Sequence, residues 1–191
     1  IAINQHQWLI FETEDSINQL DDQTTEEQEF YQIRLAIKKD LSDKRPYLYS
    51  YFPTNIRLDF PFIVHGTFDL DQTRNHLNIT DKNKIIIKEL IRFIIKAGKY
   101  FILKGSSWIP LKMLDYDKQH KDERLKELGF YDYIDQAIDN EKIFPCLDGT
   151  YRKKADVVYT GKDFSLFIEK YNLSEFFPNM LIPILEEEEG K

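Results

Sequence analysis

The sequence predicts an α/β or α+β fold, in which a small mixed or antiparallel sheet of about four strands packs against one long helix. Three observations predict it. Short segments of alternating apolar and polar residues follow one another closely up to residue 70. A strong helical period then runs from about residue 81 to 98, and weaker, mixed signals follow it. We therefore expect a sheet-plus-helix domain at residues 1–98 and a smaller mixed region at 99–191.

Four segments carry the strand signal: WLIFE at 8–12, FYQIRLAIKK at 30–39, PYLYSYFPT at 46–54 and FPFIVHGTFDL at 60–70. In the second, Tyr31, Ile33, Leu35 and Ile37 alternate with more polar residues, which is typical of a half-buried strand. Pro53 is expected to end the third segment. The acidic stretch at 13–29 has no clear period and is expected to be an exposed loop or a weak helix.

The best helix signal has an apolar face and a basic face. The apolar residues at helical spacing are Ile86, Ile87, Leu90, Ile91, Ile94 and Ile95. Thr80 or Asp81 can act as the N-cap, and Gly98 is expected to end the helix. The opposite face carries a basic stripe, which we interpret as a solvated surface. The stripe consists of Lys84, Lys88, Arg92 and Lys96.

The region after Gly98 is expected to open with a strand, KYFILKG at 99–105. Helical spacing at 121–140 then predicts two short helices divided by Gly129. The Asp148-Gly149 pair predicts a hairpin turn between two short strands within 142–160. A short helix begins near Asp163, and an acidic tail ends the chain.

Composition excludes several classes of protein. Hydrophobic residues at 42% and aromatic residues at 14% are typical of a folded domain, and the net charge of −7 argues against broad non-specific nucleic-acid binding. A single cysteine allows no internal disulfide, and no apolar run approaches the roughly 20 residues that span a bilayer. We expect a cytoplasmic protein without a membrane partner. Because the chain begins with Ile1 and shows no signal peptide, we expect a segment of a longer protein.

Self-contained catalytic motifs are absent from the sequence. The glycines form no phosphate-cradling loop, and the four histidines are scattered. Cys146 follows a proline in an apolar run and is expected to be a buried, inert thiol. A metal-dependent nuclease is one alternative that the residues leave open. It would use Asp156, Asp163, Glu169 and Lys170, although their spacing fits no known scheme, and we assign no metal ligands.

The connection between the last predicted strand and the long helix is polar and contains a single cation. In HGTFDLDQTRNHLNI, residues 65–79, a lone cation, Arg74, stands between Thr73 and Asn75. Arg74 either pairs with Asp69 or Asp71 and orders the turn, or it is available to bind an anion. The longer segment YSYFPTNIRLDFPFIVHGTFDLDQTRNHL resembles the segment that follows the ATP-binding domain in sacsin-like proteins and their bacterial relatives. These belong to the GHKL ATPases, the class of the ninety-kilodalton heat-shock chaperone, gyrase and histidine kinases.

The resemblance covers roughly residues 46 to 95. It rests on Phe52-Pro53, on PFIVHGTF, and on the Thr73-Arg74 pair in a polar turn. It implies that Arg74 and the amide of Asn78 reach the terminal phosphate of ATP, held with Mg²⁺ in a preceding domain of the same chain. This chain would then be a non-catalytic middle, or transducer, domain that couples nucleotide state to domain movement. It has no nucleotide-binding half, so it is not expected to be an enzyme by itself or to hold a cofactor.

Two further expectations follow. The class resembled often forms homodimers, while the client, whether protein or nucleic acid, is not given by the sequence. The alternative function is a plain protein-interaction module without a nucleotide role. Such a module would use the basic stripe or the tyrosine-rich surface of Tyr47, Tyr49 and Tyr51.

Overall fold

The computed structural model describes residues 2–3, 6–17, 29–38, 41, 45–102, 108–116 and 121–182. Within these residues, six strands precede the long helix: β1 (Ala2–Ile3), β2 (His6–Ile17), β3 (Glu29–Lys38), β4 (Arg45–Ser50), β5 (Phe52–Phe60) and β6 (Phe62–Gly66). The helices and strands that follow are α1 (Asp81–Ile102), α2 (Ile109–Lys112), α3 (Glu123–Glu127), α4 (Phe130–Asn140), β7 (Phe144–Pro145), β8 (Tyr151–Arg152) and α5 (Lys162–Lys170).

The first six strands form one mixed sheet in the order β1-β2-β3-β6-β4-β5. All neighbours are antiparallel except β4 and β6, which run parallel with Leu48 opposite Val64. Five substantial strands, a two-residue edge strand and the helix packed on them confirm the predicted sheet-plus-helix class. The described sheet has more strands than the predicted four.

Alternation of side chains explains how the sheet presents one face to α1. In β3 the residues Tyr31, Ile33, Leu35 and Ile37 are buried, while Arg34 between them is exposed. The buried face meets the apolar face of α1, where Ile86, Ile87, Leu90, Ile91, Ile94 and Ile95 are all buried. The predicted strand and helix periods are both confirmed. One hydrophobic core therefore joins the sheet to the helix.

Two predictions near Gly98 are wrong. Gly98 was predicted to end α1 but lies inside it, and the described part of the segment predicted as a strand at 99–105 is helical. The helix continues to Ile102, and residues 103–107 lie outside the described residues. Gly98 is buried, and a Cβ added to it would lie 3.0 Å from the Cα of Pro110 in α2. The glycine therefore permits close packing of α2 on α1 and does not act as a stop.

The segment predicted as one strand at 46–54 is two strands joined by a tight turn. Tyr51 adopts a left-handed backbone conformation with φ of 61° between β4 and β5, so the chain reverses there. Pro53 lies inside β5, opposite Tyr49, and does not end a strand. Because β5 is the edge of the sheet, a residue without an N–H group is tolerated there.

The acidic stretch at 13–29 was expected to be a loop or weak helix, but residues 13–17 continue β2 and Glu29 begins β3. Residues 18–28 lie outside the described residues. Continuous pairing of residues 8–17 with β3 overrides the polar composition of this end. Among the described residues, no helix combines the length and apolarity that crossing a bilayer requires.

The region after α1 follows its predicted order from residue 121 onward. Gly129, with φ of 80°, separates α3 from α4, and Gly149, also with φ of 80°, turns the chain between β7 and β8. The helix predicted near Asp163 is α5. The boundary that we placed between residues 98 and 99 falls inside α1, and residues on both sides of it share the hydrophobic core. The acidic tail lies outside the described residues.

Candidate functional site

The loop between β6 and α1 is closed by backbone hydrogen bonds, so its side chains have defined directions. Leu70 and Leu77 form an antiparallel bridge, and the N–H of Asp71 donates to the carbonyl of His76 at 2.9 Å. Within this closed loop, the N–H of Arg74 donates to the carbonyl of Asp71 at 2.9 Å. The loop is a folded hairpin-like unit that displays Arg74 near its tip.

A buried amide anchors this loop to α1. Asn83 is fully buried in the first turn of α1. Its Oδ1 accepts the N–H of Asp69 at 2.9 Å, and its Nδ2 donates to the carbonyls of Asp69 and Asn78, each at 2.8 Å. The hydroxyl of Thr80 accepts the N–H of Asn83 at 3.2 Å, which confirms Thr80 as the N-cap. Both ends of the loop are thus fastened to one side chain.

Arg74 itself is exposed and lies in the left-handed region, with φ of 58°. Its guanidinium makes no hydrogen bond and no ion pair with any residue that the structure describes. Left-handed backbone is unfavourable for a residue other than glycine by roughly 1 kcal/mol or more. The loop therefore exposes an unpaired guanidinium on a residue whose backbone conformation is not the lowest in energy.

The carboxylates that were candidates to neutralise Arg74 bind other cations. Asp69 pairs with Lys82 at 3.0 Å, and Asp71 lies 3.6 Å from a guanidinium nitrogen of Arg124. The hydroxyl of Thr73 donates to Asp71 at 2.8 Å and, as the largest cause, lowers the pKa of that carboxyl. Asp71 is thus ionised at neutral pH. Lys82 also lies 3.7 Å from Glu29, so these carboxylates are matched by Lys82 and Arg124, while Arg74 pairs with none of them.

Asn78 is exposed, and its side chain already has a structural bond. Its Nδ2 donates to the carbonyl of Leu70 at 2.9 Å, across the base of the loop. A primary amide has two N–H donors, so the second remains available for an anion. The helix terminus beside it is a weak site for an anion, because the hydroxyl of Thr80 accepts the N–H of Asn83 and Asp81 places a carboxylate in the first turn.

Arg74 and Asn78 line one open cleft of about 900 Å³. Its other lining residues are Ser50, Tyr51, Phe52, Phe68, Asp69, Leu70 and Asp71. Tyr51 is 78% exposed and Phe52 is 67% exposed, so two aromatic rings stand at its edge. The cleft thus combines a free guanidinium, a partly free amide and an aromatic lip. It can accept an anionic group carried by a larger partner surface.

Tyr51 is held in place by His65. The Nε2 of His65 accepts the N–H of Tyr51 at 3.2 Å, and the two rings meet edge to face with centroids 5.8 Å apart. Nε2 must be unprotonated to accept this bond. Burial, with the nearby Arg34 as a smaller cause, lowers the pKa of His65 and favours this neutral form.

The other candidates from the sequence do not assemble into a site. Among the residues that the structure describes, no three His, Cys, Asp or Glu side chains could share a metal ion. A metal-dependent nuclease would need carboxylates that converge on a metal ion, and Asp156, Asp163 and Glu169 do not converge in this way. Cys146 is buried, as predicted, and burial raises the pKa of its thiol, which disfavours the reactive thiolate.

Asn83, Tyr51 and Phe52 belong to the site, but the sequence pattern does not assign them to it. Asn83 carries a usable signal, because it is a polar residue at a position that continues the apolar spacing of Ile86, Ile87 and Leu90. The positions of Tyr51 and Phe52 depend on the β4–β5 turn, which has no glycine to mark it.

Comparison with known proteins adds no relative: no family model, no curated protein and no solved structure matches this chain.

Proposed function

We propose that this chain is the middle, transducer-like domain of a multidomain, cytoplasmic GHKL-type ATPase. In this proposal a preceding domain of the same protein holds ATP and Mg²⁺, and Arg74 contacts the terminal phosphate. Asn78 supplies a second donor. The contact is lost when the terminal phosphate leaves, so it links nucleotide state to domain orientation.

The observation that carries the proposal is the uncommitted guanidinium of Arg74 in a loop whose other charged groups are paired. A guanidinium forks onto phosphate oxygens and never loses its charge at physiological pH. The polar turn that carries Thr73 and Arg74 also resembles the corresponding turn in GHKL ATPases, which supports the same role for the arginine. The mixed sheet with one long helix is an architecture compatible with such a domain.

The test is ATP turnover by the full-length protein carrying Arg74→Ala. If the arginine stabilises charge on the transferring phosphoryl group, kcat should fall by about 100-fold or more, while KM for ATP changes only a few-fold. Gln72→Ala is the matched control, because Gln72 is exposed in the same loop. Unchanged turnover in a folded Arg74→Ala protein would refute the proposal.

Exposed aromatic rings favour a second candidate, a protein-interaction module without a nucleotide role. Tyr51, which belongs to the tyrosine-rich surface expected from the sequence, projects at the cleft edge together with Phe52. On the basic stripe, Lys84 and Arg92 are paired with Asp81 and Glu89. The reading frame upstream of Ile1 discriminates the two candidates, because only the first requires an ATP-binding domain there.

A further inference from the structure

A stripe of three aromatic side chains lies on the exposed side of α5. The rings of Phe164 and Phe167 stack with centroids 6.3 Å apart, and the centroids of Phe167 and Tyr171, the C-cap residue, are 4.7 Å apart. Phe164 is 45% exposed, Phe167 48% and Tyr171 55%. At about 100° per residue, the three positions lie within an arc of about 60° around the helix axis. This aromatic stripe is therefore one continuous apolar surface.

The other side of α5 is fixed to its own chain. Ser165 and Ile168 are buried, and the hydroxyls of Thr160 and Ser165 form a hydrogen bond of 2.8 Å. Phe177 supports the ring of Phe164 edge to face, with centroids 5.9 Å apart. These contacts set the rotation of α5, so the aromatic stripe faces outward. Contiguous exposed apolar side chains on a folded domain mark an interaction surface.

Two opposite charges flank the aromatic stripe on the same side. Asp163 and Lys170 are both exposed and lie within about 20° of each other around the helix axis. Neither side chain makes a hydrogen bond or ion pair within the described part of the chain, and the ammonium of Lys170 lies 5.6 Å from the ring centroid of Tyr171. The positions three and four residues from each charge, where a helix usually supplies a partner, are the apolar Leu166 and Phe167. Both charges are therefore available to another molecule.

The spacing of these groups is self-complementary. Phe164 and Tyr171 are seven residues apart in the sequence, and so are Asp163 and Lys170. When two helices pack antiparallel about a two-fold axis, the same flank of each helix faces the other copy. An axis near Phe167 would place Phe164 opposite the partner's Tyr171 and Asp163 near the partner's Lys170. Because the axis generates each contact twice, one interface would hold two aromatic contacts and two ion pairs.

We propose that α5 is a self-association surface, through which two copies of this chain form an antiparallel, two-fold dimer. A whole aromatic side chain buries about 150–250 Å², so three half-exposed rings on each copy bury about 450–750 Å² in all. This area is below the roughly 1,200 Å² of a stable interface, and we therefore expect a transient dimer with a Kd of about 100 µM. The inference is independent of the function proposed for Arg74, which uses no residue of α5.

Sedimentation equilibrium of the whole chain between about 10 µM and 1 mM, a range that brackets the expected Kd, measures the association. The average mass should rise from that of the monomer toward that of the dimer. Phe167→Glu sets two carboxylates against each other at the two-fold axis and should weaken the dimer at least about tenfold. Its thermal melt should stay close to that of the unsubstituted chain, because Phe167 is half exposed. Glu169→Lys is the matched control and should dimerise normally, since Glu169 is exposed about 140° from Phe164 around α5.

Charge reversal separates this two-fold contact from non-specific adhesion of exposed rings. Asp163→Lys alone turns both ion pairs into lysine pairs and should weaken the dimer about tenfold, and Lys170→Asp alone should do the same with carboxylate pairs. An equimolar mixture of the two variants should dimerise about as tightly as the unsubstituted chain, because every charge then faces its opposite. A monomer at 1 mM, the top of that range, would overturn the proposal and leave the stripe to a different protein. Normal dimerisation of Phe167→Glu, or a mixture that associates no more tightly than either variant alone, would also overturn it.

Discussion

Asn83 provides the sharpest test of how the Arg74 loop is held. Its buried side chain makes three hydrogen bonds: one accepted from the N–H of Asp69, and two donated to the carbonyls of Asp69 and Asn78. Asn83→Ala removes all three. No other described side chain bonds to both ends of the loop in this way, so the substitution should loosen the whole β6–α1 connection.

The stability lost in Asn83→Ala depends on which hydrogen bonds the backbone partners of Asn83 keep. The carbonyl of Asp69 still accepts the N–H of Asn78 at 3.0 Å, and the carbonyl of Asn78 still accepts the N–H of Thr80 at 3.1 Å. Only the N–H of Asp69 is left without a partner, which costs about 1–3 kcal/mol. The two other lost bonds add about 0.5–1 kcal/mol each, and alanine regains about 0.6 kcal/mol of helix propensity. The expected loss is about 1.5–4.5 kcal/mol.

Urea unfolding followed by circular dichroism measures this loss. Asn83→Ala should lower the midpoint without changing the denaturant slope, because the native fold is otherwise kept. Asn78→Ala is the matched control, since it removes a single bond at an exposed side chain and should cost under about 1 kcal/mol. An Asn83→Ala protein within about 0.5 kcal/mol of the unsubstituted chain would show that the three bonds do not hold the loop.

Three other substitutions or conditions test separate parts of the structure. Gly98→Ala should lower the free energy of unfolding by about 1–2 kcal/mol, because the added Cβ would meet Pro110. This cost should exceed the gain from the better helix propensity of alanine. A raised Tm in a thermal melt would contradict the close packing of Gly98 against Pro110. Burial lowers the pKa of His65 from its usual 6.5, so its stabilising contribution should be complete above pH 6.5 and lost as pH falls from there through the lowered pKa of the folded protein. Tm should therefore fall more between pH 7.5 and 5.5 in the unsubstituted chain than in His65→Gln, whose amide oxygen can still accept the N–H of Tyr51; equal falls would exclude this role. Cys146 should react with a thiol reagent at least about 100-fold faster in urea than in buffer, and fast labelling of the folded protein would contradict its burial.

The elements that the sequence predicts well are those whose pattern is local and long. β3 alternates over residues 31–38, and α1 repeats its apolar residues over more than four turns, so packing agrees with the periodicity. The strand order is different, because it depends on contacts between distant segments. Nothing in the local pattern places β6 between β3 and β4 or makes the β4–β6 pairing parallel.

Two errors have the same cause, which is a residue whose usual role is overridden by a tertiary contact. Gly98 is a frequent helix terminator, but here it permits the approach of Pro110. Pro53 commonly ends a strand, but here it sits on an edge strand that does not need its N–H. The acidic neighbours of Arg74 illustrate the same limit, since Asp69 and Asp71 bind Lys82 and Arg124, which are distant in sequence.

Of the five described residues other than glycine with positive φ, two line the cleft around Arg74. Two of its lining residues, Tyr51 and Arg74, have positive φ values of 61° and 58°. Glycine at either position would relieve strain of the order of 1 kcal/mol. Strained residues persist where surrounding contacts over-determine them, and here the bond from Tyr51 to His65 and the loop anchored by Asn83 supply those contacts. Strain, an unpaired cation and exposed aromatic rings thus coincide in one cleft. A loop with no role beyond connecting β6 to α1 would be more stable with glycine at residue 74, so this coincidence favours a binding role for the arginine.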